Sequence, residues 1–441
     1  MVVRRVFERG AYADRALAAE ATGLARRDRA LATQIAYGTV QRCATLDHLA
    51  RRLLSRPIEA LEPAVLAAIR VGLYQLLYLG GGAPHAIVDE SVELAKRGSR
   101  GGAGLVNAVL RRAAREQGSL LEGLGDGTPA EAAVAHSVPK WLAELWWSEL
   151  GADQARALLR HINEPAESAL RVNQLVSTVE EVMRQLPVRA HPVPELACGI
   201  VIDGSFDAHG SQLWRSGAIM PQSRGSMLVA RVLAPNRGDR ILDLCAAPGG
   251  KTTQLAAMVE DRGEVVAVER HKGRARALEE TCRRMHAGCV RVVVADAAAM
   301  QTDEAFDRVL VDPPCSGLGT LQSRPDLRWR ARPEAIGELA ALQAEVLAAG
   351  AAATGRTGAL VYSVCTISRQ EGEGVIDAFL RAHPDWEADD LGAAYPRYRQ
   401  RGGRYLQLFP HRDGTDGFFI ARLRRREPSP GAPNGPLPSS G

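Results

Sequence analysis

The chain has 441 residues, 46% of them apolar, which suits two or three folded domains and excludes a fibre or a wholly disordered polymer. Seven cysteines without regular spacing do not form a disulfide scaffold, and the start, Met1-Val-Val-Arg-Arg5, leads into no secretory apolar stretch, so a reducing cytoplasm is the expected compartment. The net charge of +4, from 55 basic and 51 acidic side chains, is too small to name a partner by itself.

Residues 1 to about 125 read as helices. Ala13 to Thr22, Arg27 to Leu46, Leu46 to Leu54, Glu62 to Tyr78, Ile87 to Arg97 and Leu105 to Glu116 repeat apolar positions at three and four residue spacing. Arg56-Pro57, Gly80 to Gly82 and Gly98 to Gly104 punctuate them. Arg4, Arg5, Arg26, Arg27, Arg29, Arg51, Arg52, Arg56, Lys96, Arg97, Arg100, Arg111 and Arg112 give this quarter a basic bias suited to phosphate contact. The bland reading is a set of solvated arginines on ordinary helices.

Gly123 to Ala130 reads as a linker, and Lys140 to Leu150 as an amphipathic helix carrying Trp141, Trp146 and Trp147. Those rings suit packing better than stacking on bases. Ala169 to Val176 alternates like a strand, Thr178 to Leu186 like a helix and Gly199 to Ile202 like a strand, which makes a small α+β segment.

From about Arg240 the pattern becomes regular. Ile241–Leu244, Val265–Val268, Val290–Val294, Val309–Val311 and Ala359–Val364 read as buried strands, with helices over Thr252 to Val259, Lys272 to Met285 and Ile336 to Ala352. This is the βαβ rhythm of a mostly parallel sheet. Residues 404 to 408 and Gly417 to Leu423 add late antiparallel strands, and Arg424 to Gly441, rich in proline, glycine and serine, reads as a disordered tail. No run offers about 18 uncharged apolar residues, Ala341 to Ala353 being alanine-rich and short, so no membrane is expected as a partner.

The chemistry gathers at strand ends, where open α/β sheets expose ligand-binding groups. Asp243 to Thr252 reads Asp-Leu-Cys-Ala-Ala-Pro-Gly-Gly-Lys-Thr, a strand-to-helix turn in which Gly249 and Gly250 let backbone amides approach a ligand. A phosphate loop would need glycine where Cys245 stands, and Ala246, Ala247 and Pro248 replace the spaced glycines of a dinucleotide fingerprint. Glu269, Asp296 and Asp312 end or follow three successive strands and suit a nucleoside-containing cofactor, although acids also cap ordinary turns. Asp312-Pro-Pro-Cys315 holds an acid and a thiol on one rigid turn, and Cys365 ends another strand, followed by Thr366, Glu371 and Glu373. With no Cys-x-x-Cys pair no metal is expected, and Cys282, His286 and Cys289 read as packing or surface residues.

These motifs resemble the bacterial ribosomal RNA cytosine-C5 methyltransferases of the Sun (RsmB-like) family, within the NOL1/NOP2/Sun group. The resemblance rests on Asp243 to Thr253, on Asp312 to Gly319, on Tyr362-Ser-Val-Cys-Thr366 and on His411 to Ala421. Arg27-Asp-Arg29, Gly38 and Gly104 to Leu110 are similar to the NusB fold, an RNA-binding helical domain. The resemblance covers most of residues 1 to 425. It implies a NusB-like all-α domain over 1–125, a linker and small α+β subdomain over 126–235, and a Rossmann-like class I methyltransferase with a mostly parallel seven-stranded sheet over 236–425, before a tail over 426–441. It implies S-adenosylmethionine held by Asp243, Cys245, Ala246, Ala247, Pro248, Gly249, Gly250 and Lys251. Glu269 and Arg274 would lie near the ribose, Asp296 near the adenine, and Asp312 between cofactor and base. Cys365 is then the attacking thiol and Cys315 the thiol that assists release. The implied partner is ribosomal RNA, 16S or a small-subunit assembly intermediate, with no obligate protein partner. Two departures stand out: Thr366 replaces a common serine, and Glu371-Gly372-Glu373 replaces an acid-Asn-acid stretch. A transfer RNA cytosine methyltransferase and a non-catalytic RNA-binding assembly factor remain the alternatives.

Overall fold

The computed structural model describes residues 1–302, 305–398 and 403–426, the side chain of Arg26 excepted. The chain divides into two units, one of residues 1–166 with 316–335 and 410–414, the other of residues 167–315, 336–409 and 415 onward. Of the tail expected over 426–441, residues 427–441 lie outside the described residues.

In the first unit the apolar repeat becomes the helices Val2–Arg9, Ala13–Glu20, Arg26–Gln41, Cys43–Leu53, Pro63–Tyr74, Pro84–Gly98 and Ala103–Arg115. Leu46, Leu49, Ile69, Leu73, Val106 and Leu110 are fully buried between them. The expected helix from Arg27 to Leu46 is two, because the backbone opens at Arg42 (φ −94°, ψ 10°). The amide this frees at Ala44 donates to Ser137 Oγ at 3.0 Å, and Thr45 Oγ1 donates to Val134 O. The short helix Gln117–Leu120 and the helices Pro129–Ala135, Lys140–Leu150 and Ala152–His161 follow, and Trp146 is fully buried, a packing residue. Residues 316–335 join this unit through Arg328, whose buried guanidinium donates to the carbonyls of Gln41, Ser137, Ile162 and Leu321 and to Asn163 Oδ1. Burial lowers Arg328 to about 9, so it keeps its charge at neutral pH.

The second unit opens with a four-stranded antiparallel sheet of β1 (Ala169–Val172), β2 (Arg189–Val193), β3 (Leu196–Asp203) and β4 (Ile219–Pro221), in the order β2-β3-β1-β4. β1 stops short of the expected Val176 because Asn173 turns the chain: its Oδ1 accepts from Leu175 N, and its amide donates to Gly217 O and Met285 O. β2 escapes the apolar pattern because it is an edge strand, mostly exposed and carrying Pro192.

The large sheet comprises β5 (Arg240–Leu244), β6 (Glu264–Val268), β7 (Val290–Val293), β8 (Phe306–Val311), β9 (Thr354–Val364), β10 (Trp386–Ala388), β11 (Leu406–Gln407) and β12 (Phe419–Arg425). Seven strands follow the order β10-β12-β9-β8-β5-β6-β7, and the two-residue β11 pairs with β12 as an eighth. β7, β6, β5, β8 and β9 are parallel, and β12 and β10 are antiparallel additions. Strand order reverses between β5 and β8, where both strands present their carboxyl ends on the same edge. The helix Pro333–Ala353 is long and apolar enough to cross a membrane by length and composition alone, yet its Val346, Leu347 and Ala351 pack into the core of this sheet.

Candidate active site

β5 delivers Asp243 and the turn behind it. Asp243 is almost fully buried, with Oδ2 accepting from Thr252 Oγ1 at 2.7 Å. Burial pushes its carboxyl up to about 7, Thr252 opposes the shift, and Asp312 adds to it. Cys245 adopts φ 64°, a conformation rare outside glycine that is often kept at functional turns. Burial drives its thiol to about 12, aided by Asp312, Asp243 and Glu269, so Cys245 stays protonated and is no nucleophile. Gly249 has φ 99°, and an added Cβ would fall 2.7 Å from Leu278 Cδ1, so glycine is required both by conformation and by space.

Lys251, in the first turn of the helix Gly250–Met258, ties this loop to the next strand end. Its Nζ donates to Asp312 Oδ2 at 2.8 Å, and Asp312 Oδ1 accepts from Ser363 Oγ at 2.9 Å. Burial pulls the Lys251 ammonium down, but Asp312, with Cys365 and Asp243 behind it, more than offsets this and the net shift is upward. Lys251 therefore stays a cation over the whole physiological range. Cys315 Sγ and Cys365 Sγ lie 3.2 Å apart, both partly exposed. Thus Asp243, Lys251, Asp312, Cys315 and Cys365 form one cluster at the ends of β5, β8 and β9.

A second group forms around the end of β6. Glu269, 3% exposed, accepts from His271 N at 2.8 Å, and its other oxygen lies 3.4 Å from the Arg274 guanidinium. Arg274 also donates to Ala247 O at 2.8 Å, which fastens the turn to this acid. Asp296 joins neither group: one oxygen accepts from Ala298 N and caps a short helical turn, and the other lies 3.5 Å from Arg270. Cys282 is buried on the helix Lys272–Arg284, and among the described residues no group of three His, Cys, Asp or Glu is placed to hold a metal ion.

Of the partners of the site, Gln343 lies outside the motifs, whereas Tyr362, Ser363, Thr366 and Glu371 stand within or just after the stretch that carries Cys365. Ser363 lies two residues before Cys365 and so shares its face of β9, a relation legible from strand alternation. Gln343, Tyr362, Thr366 and Glu371 are fully buried and hydrogen-bonded beneath the two thiol loops. Gly372, standing where the resemblance leads one to expect an amide side chain, has its space filled: an added Cβ would fall 2.9 Å from Phe419 Cγ. Thr366 keeps the hydroxyl of the serine it replaces and uses it on Glu371 Oε2 at 3.2 Å.

Residues 230–424 match the family described as 16S rRNA methyltransferase RsmB/F, residues 2–115 the NusB family, and residues 138–209 the ferredoxin-like domain of RsmF/B-like methyltransferases. The chain is 35% identical over 413 residues to the probable ribosomal RNA small subunit methyltransferase B of Bacillus subtilis (strain 168), covering 91% of this chain and 92% of that one. It is 36% identical over 406 residues to ribosomal RNA small subunit methyltransferase B of Thermus thermophilus, covering 90% and 89%. Among solved structures, that of PH0851 superposes with a TM-score of 0.79 at 26% identity, covering 96% of this chain and 97% of that one. NSun6 from Pyrococcus horikoshii, solved with SFG, shares the fold at a TM-score of 0.60 and 24% identity, over 65% of this chain and 98% of that one. By its matched domains, its full-length relatives and its architecture of a helical NusB part followed by a Rossmann-like methyltransferase part, the chain belongs to the RsmB/F family of 16S rRNA methyltransferases.

Proposed function

We propose that this protein transfers a methyl group from S-adenosylmethionine to carbon 5 of a cytidine in ribosomal RNA, through a temporary bond between Cys365 and carbon 6. The observation that carries this reading is the 3.2 Å pair of thiols, one of them three residues after Asp312, the aspartate that accepts from the lysine of the glycine-rich turn and from Ser363. One thiol at a strand end has a packing explanation; two on separate loops, facing each other next to Asp312, suit a reaction with two proton-linked steps.

The residues present fit a nucleoside-containing donor. At Gly250 an added Cβ would find nothing closer than 3.8 Å, so this part of the turn has room beside it, and Glu269 offers a buried carboxylate at the adjoining strand end. Residues 243–251 would hold the donor, with Glu269 and Arg274 on the ribose side and Asp296 on the adenine side. When bound, it supplies an electrophilic methyl group. RsmB/F relatives are named for small-subunit ribosomal RNA, and NSun6 was solved with SFG, which supports both substrate and donor class.

Carbon 5 of cytosine is a poor nucleophile until the ring is activated. The Cys365 thiolate forms a bond to carbon 6, the C5–C6 π pair shifts between carbons 5 and 4, and the C4–N3 pair takes a proton from the Asp312 carboxyl, whose second oxygen faces Lys251 and which takes that proton back when the ring is restored. Carbon 5, now enamine-like, takes the methyl group. Cys315, or a water beside it, then removes the C5 proton; the electron pair restores the C5–C6 double bond and expels Cys365 as thiolate. The base must leave its stack first, at a cost of a few kcal/mol. Exposed Arg27, Arg29 and Arg97 on helices of residues 1–125, with Arg56 and Arg100 on the loops between them, would offset part of that through phosphate contacts, in a cytoplasmic setting that keeps both thiols reduced.

The test is nucleoside analysis of cellular RNA with and without the gene. Loss of one 5-methylcytidine from small-subunit ribosomal RNA supports the reading; unchanged 5-methylcytidine, with RNA binding retained, favours an assembly factor without turnover.

A further inference from the structure

The helix Pro333–Ala353 turns a single polar side chain into the apolar layer beneath the sheet. Gln343 shares its helix face with Val346, Leu347 and Gly350, at spacings of three, four and seven, and is fully buried. A buried amide is retained only where its hydrogen bonds are made, and both N–H groups of this one are used while its oxygen faces a hydroxyl. Its Nε2 donates to Pro314 O at 3.0 Å and to Glu371 Oε1 at 3.0 Å, and its Oε1 lies 3.1 Å from the Tyr362 hydroxyl.

These partners sit on different segments. Pro314 precedes Cys315 on the loop after β8. Glu371 lies on the loop after β9, where its second oxygen accepts from Thr366, the residue following Cys365. Tyr362 belongs to β9 itself, and its hydroxyl is 2.6 Å from Glu371 O; burial pushes the phenol well up, so it keeps its single proton, which lies between Glu371 O and the more distant Gln343 Oε1. A chain of hydrogen bonds thus runs from the residue before one thiol to the residue after the other, and Gln343 is its middle link.

We propose that Gln343 is a positioning residue that fixes the Cys315 loop against the Cys365 loop, and so sets the balance between making the cysteine–cytosine bond and releasing it. This rests on the two-thiol reading above. Neither thiol touches Gln343, so its effect passes through Pro314 O on one side and through Glu371 and Thr366 on the other. Without the Pro314 bond the Cys315 loop is free to drift, proton removal from carbon 5 slows, and the covalent intermediate accumulates. Without the Thr366 bond the Cys365 side slackens, and formation of the same intermediate slows.

The experiment uses the full-length chain, S-adenosylmethionine and an unmodified small-subunit ribosomal RNA transcript, with denaturing gels counting the protein–RNA adduct. The near-isosteric Gln343→Met should bind the donor as the parent does, while adduct per turnover rises about tenfold, because sub-ångström misplacement of a reacting group is worth that much. Adding Gln343→Met to Cys315→Ala should trap no more than Cys315→Ala alone. Thr366→Val, in the Cys315→Ala background, should slow adduct formation about tenfold at unchanged donor affinity; it keeps the test alive if the methionine variant does not fold. Parental turnover with no added adduct in Gln343→Met, adduct formation in the Thr366→Val, Cys315→Ala protein as fast as in Cys315→Ala alone, or lost turnover without adduct in Gln343→Met while Cys315→Ala does trap, overturns the assignment. If Cys315→Ala itself traps nothing, the two-thiol reading falls and the positioning role with it.

Discussion

The turn from Asp243 to Thr252 and the bed beneath the two thiols are both strand-end structures, but they are held differently. The turn is shaped first by its own residues, Gly249 in a left-handed conformation and Asp243 bonded to Thr252 nine residues on, and Arg274, 27 residues on, then closes onto Ala247 O. The thiol pair is fixed by residues far apart in sequence, with Pro314, Gln343, Tyr362 and Glu371 joined through one buried network. A local arrangement leaves a contiguous motif; a distributed one leaves single residues on unrelated elements. The first should tolerate fewer changes at any one residue, and the second should fail in graded, separable ways.

The sharpest way to separate them is at the thiols. On the proposed mechanism Cys365→Ala lowers methyl transfer by on the order of 10⁴-fold or more while donor binding, measured by calorimetry, is unchanged. Cys315→Ala lowers turnover and leaves a protein–RNA adduct that survives denaturation. Next in size is Lys251→Met, which leaves Asp312 without the ammonium 2.8 Å away; turnover should fall by roughly 10²-fold, the scale of a lost proton-holding group. On the turn side, Gly249→Ala must carry a Cβ at φ 99° against Leu278, at a cost of roughly 1–3 kcal/mol, seen as a lower melting temperature and weakened donor binding.

The remaining effect is electrostatic. Asp243 is raised from the ordinary 3.8 to about 7, so the folded protein keeps a proton that the unfolded chain has lost between those values. Its contribution to stability therefore falls as pH rises through that window, by roughly 1.4 kcal/mol per pH unit at most. Asp243→Asn keeps an acceptor for Thr252 and removes the titration. Its melting temperature should vary less between pH 4 and pH 7 than that of the parent, and a parallel pair of curves would show that Asp243 does not titrate there.

Sequence reading served the two regions unequally, for the same physical reason. Buried parallel strands announce themselves as apolar runs, and β5, β6, β8 and β9 lie where those runs stand. The three-residue β10 and the exposed edge strand β2 bury too little on one side to leave a pattern, and residues 316–335 give no sign that Arg328 seats them among helices of the first unit. At the site, the Asp243 turn and both thiols could be read from motifs. Gln343 could be noticed only as a lone amide on an apolar helix face, and its partners depend on the tertiary fold. Glu269 lies against Arg274 and Asp312 against Lys251, a pairing no motif announces, and Asp296 bonds to Ala298 N of its own turn.

The central claim is the identity of the sulfur that bonds to carbon 6. The Cys315→Ala protein, incubated with donor and ribosomal RNA, should yield an adduct that protease and nuclease digestion followed by mass spectrometry assigns to the peptide carrying Cys365, with a methylated cytidine attached. An adduct on any other residue, or full methylation by a protein lacking Cys365, would contradict it.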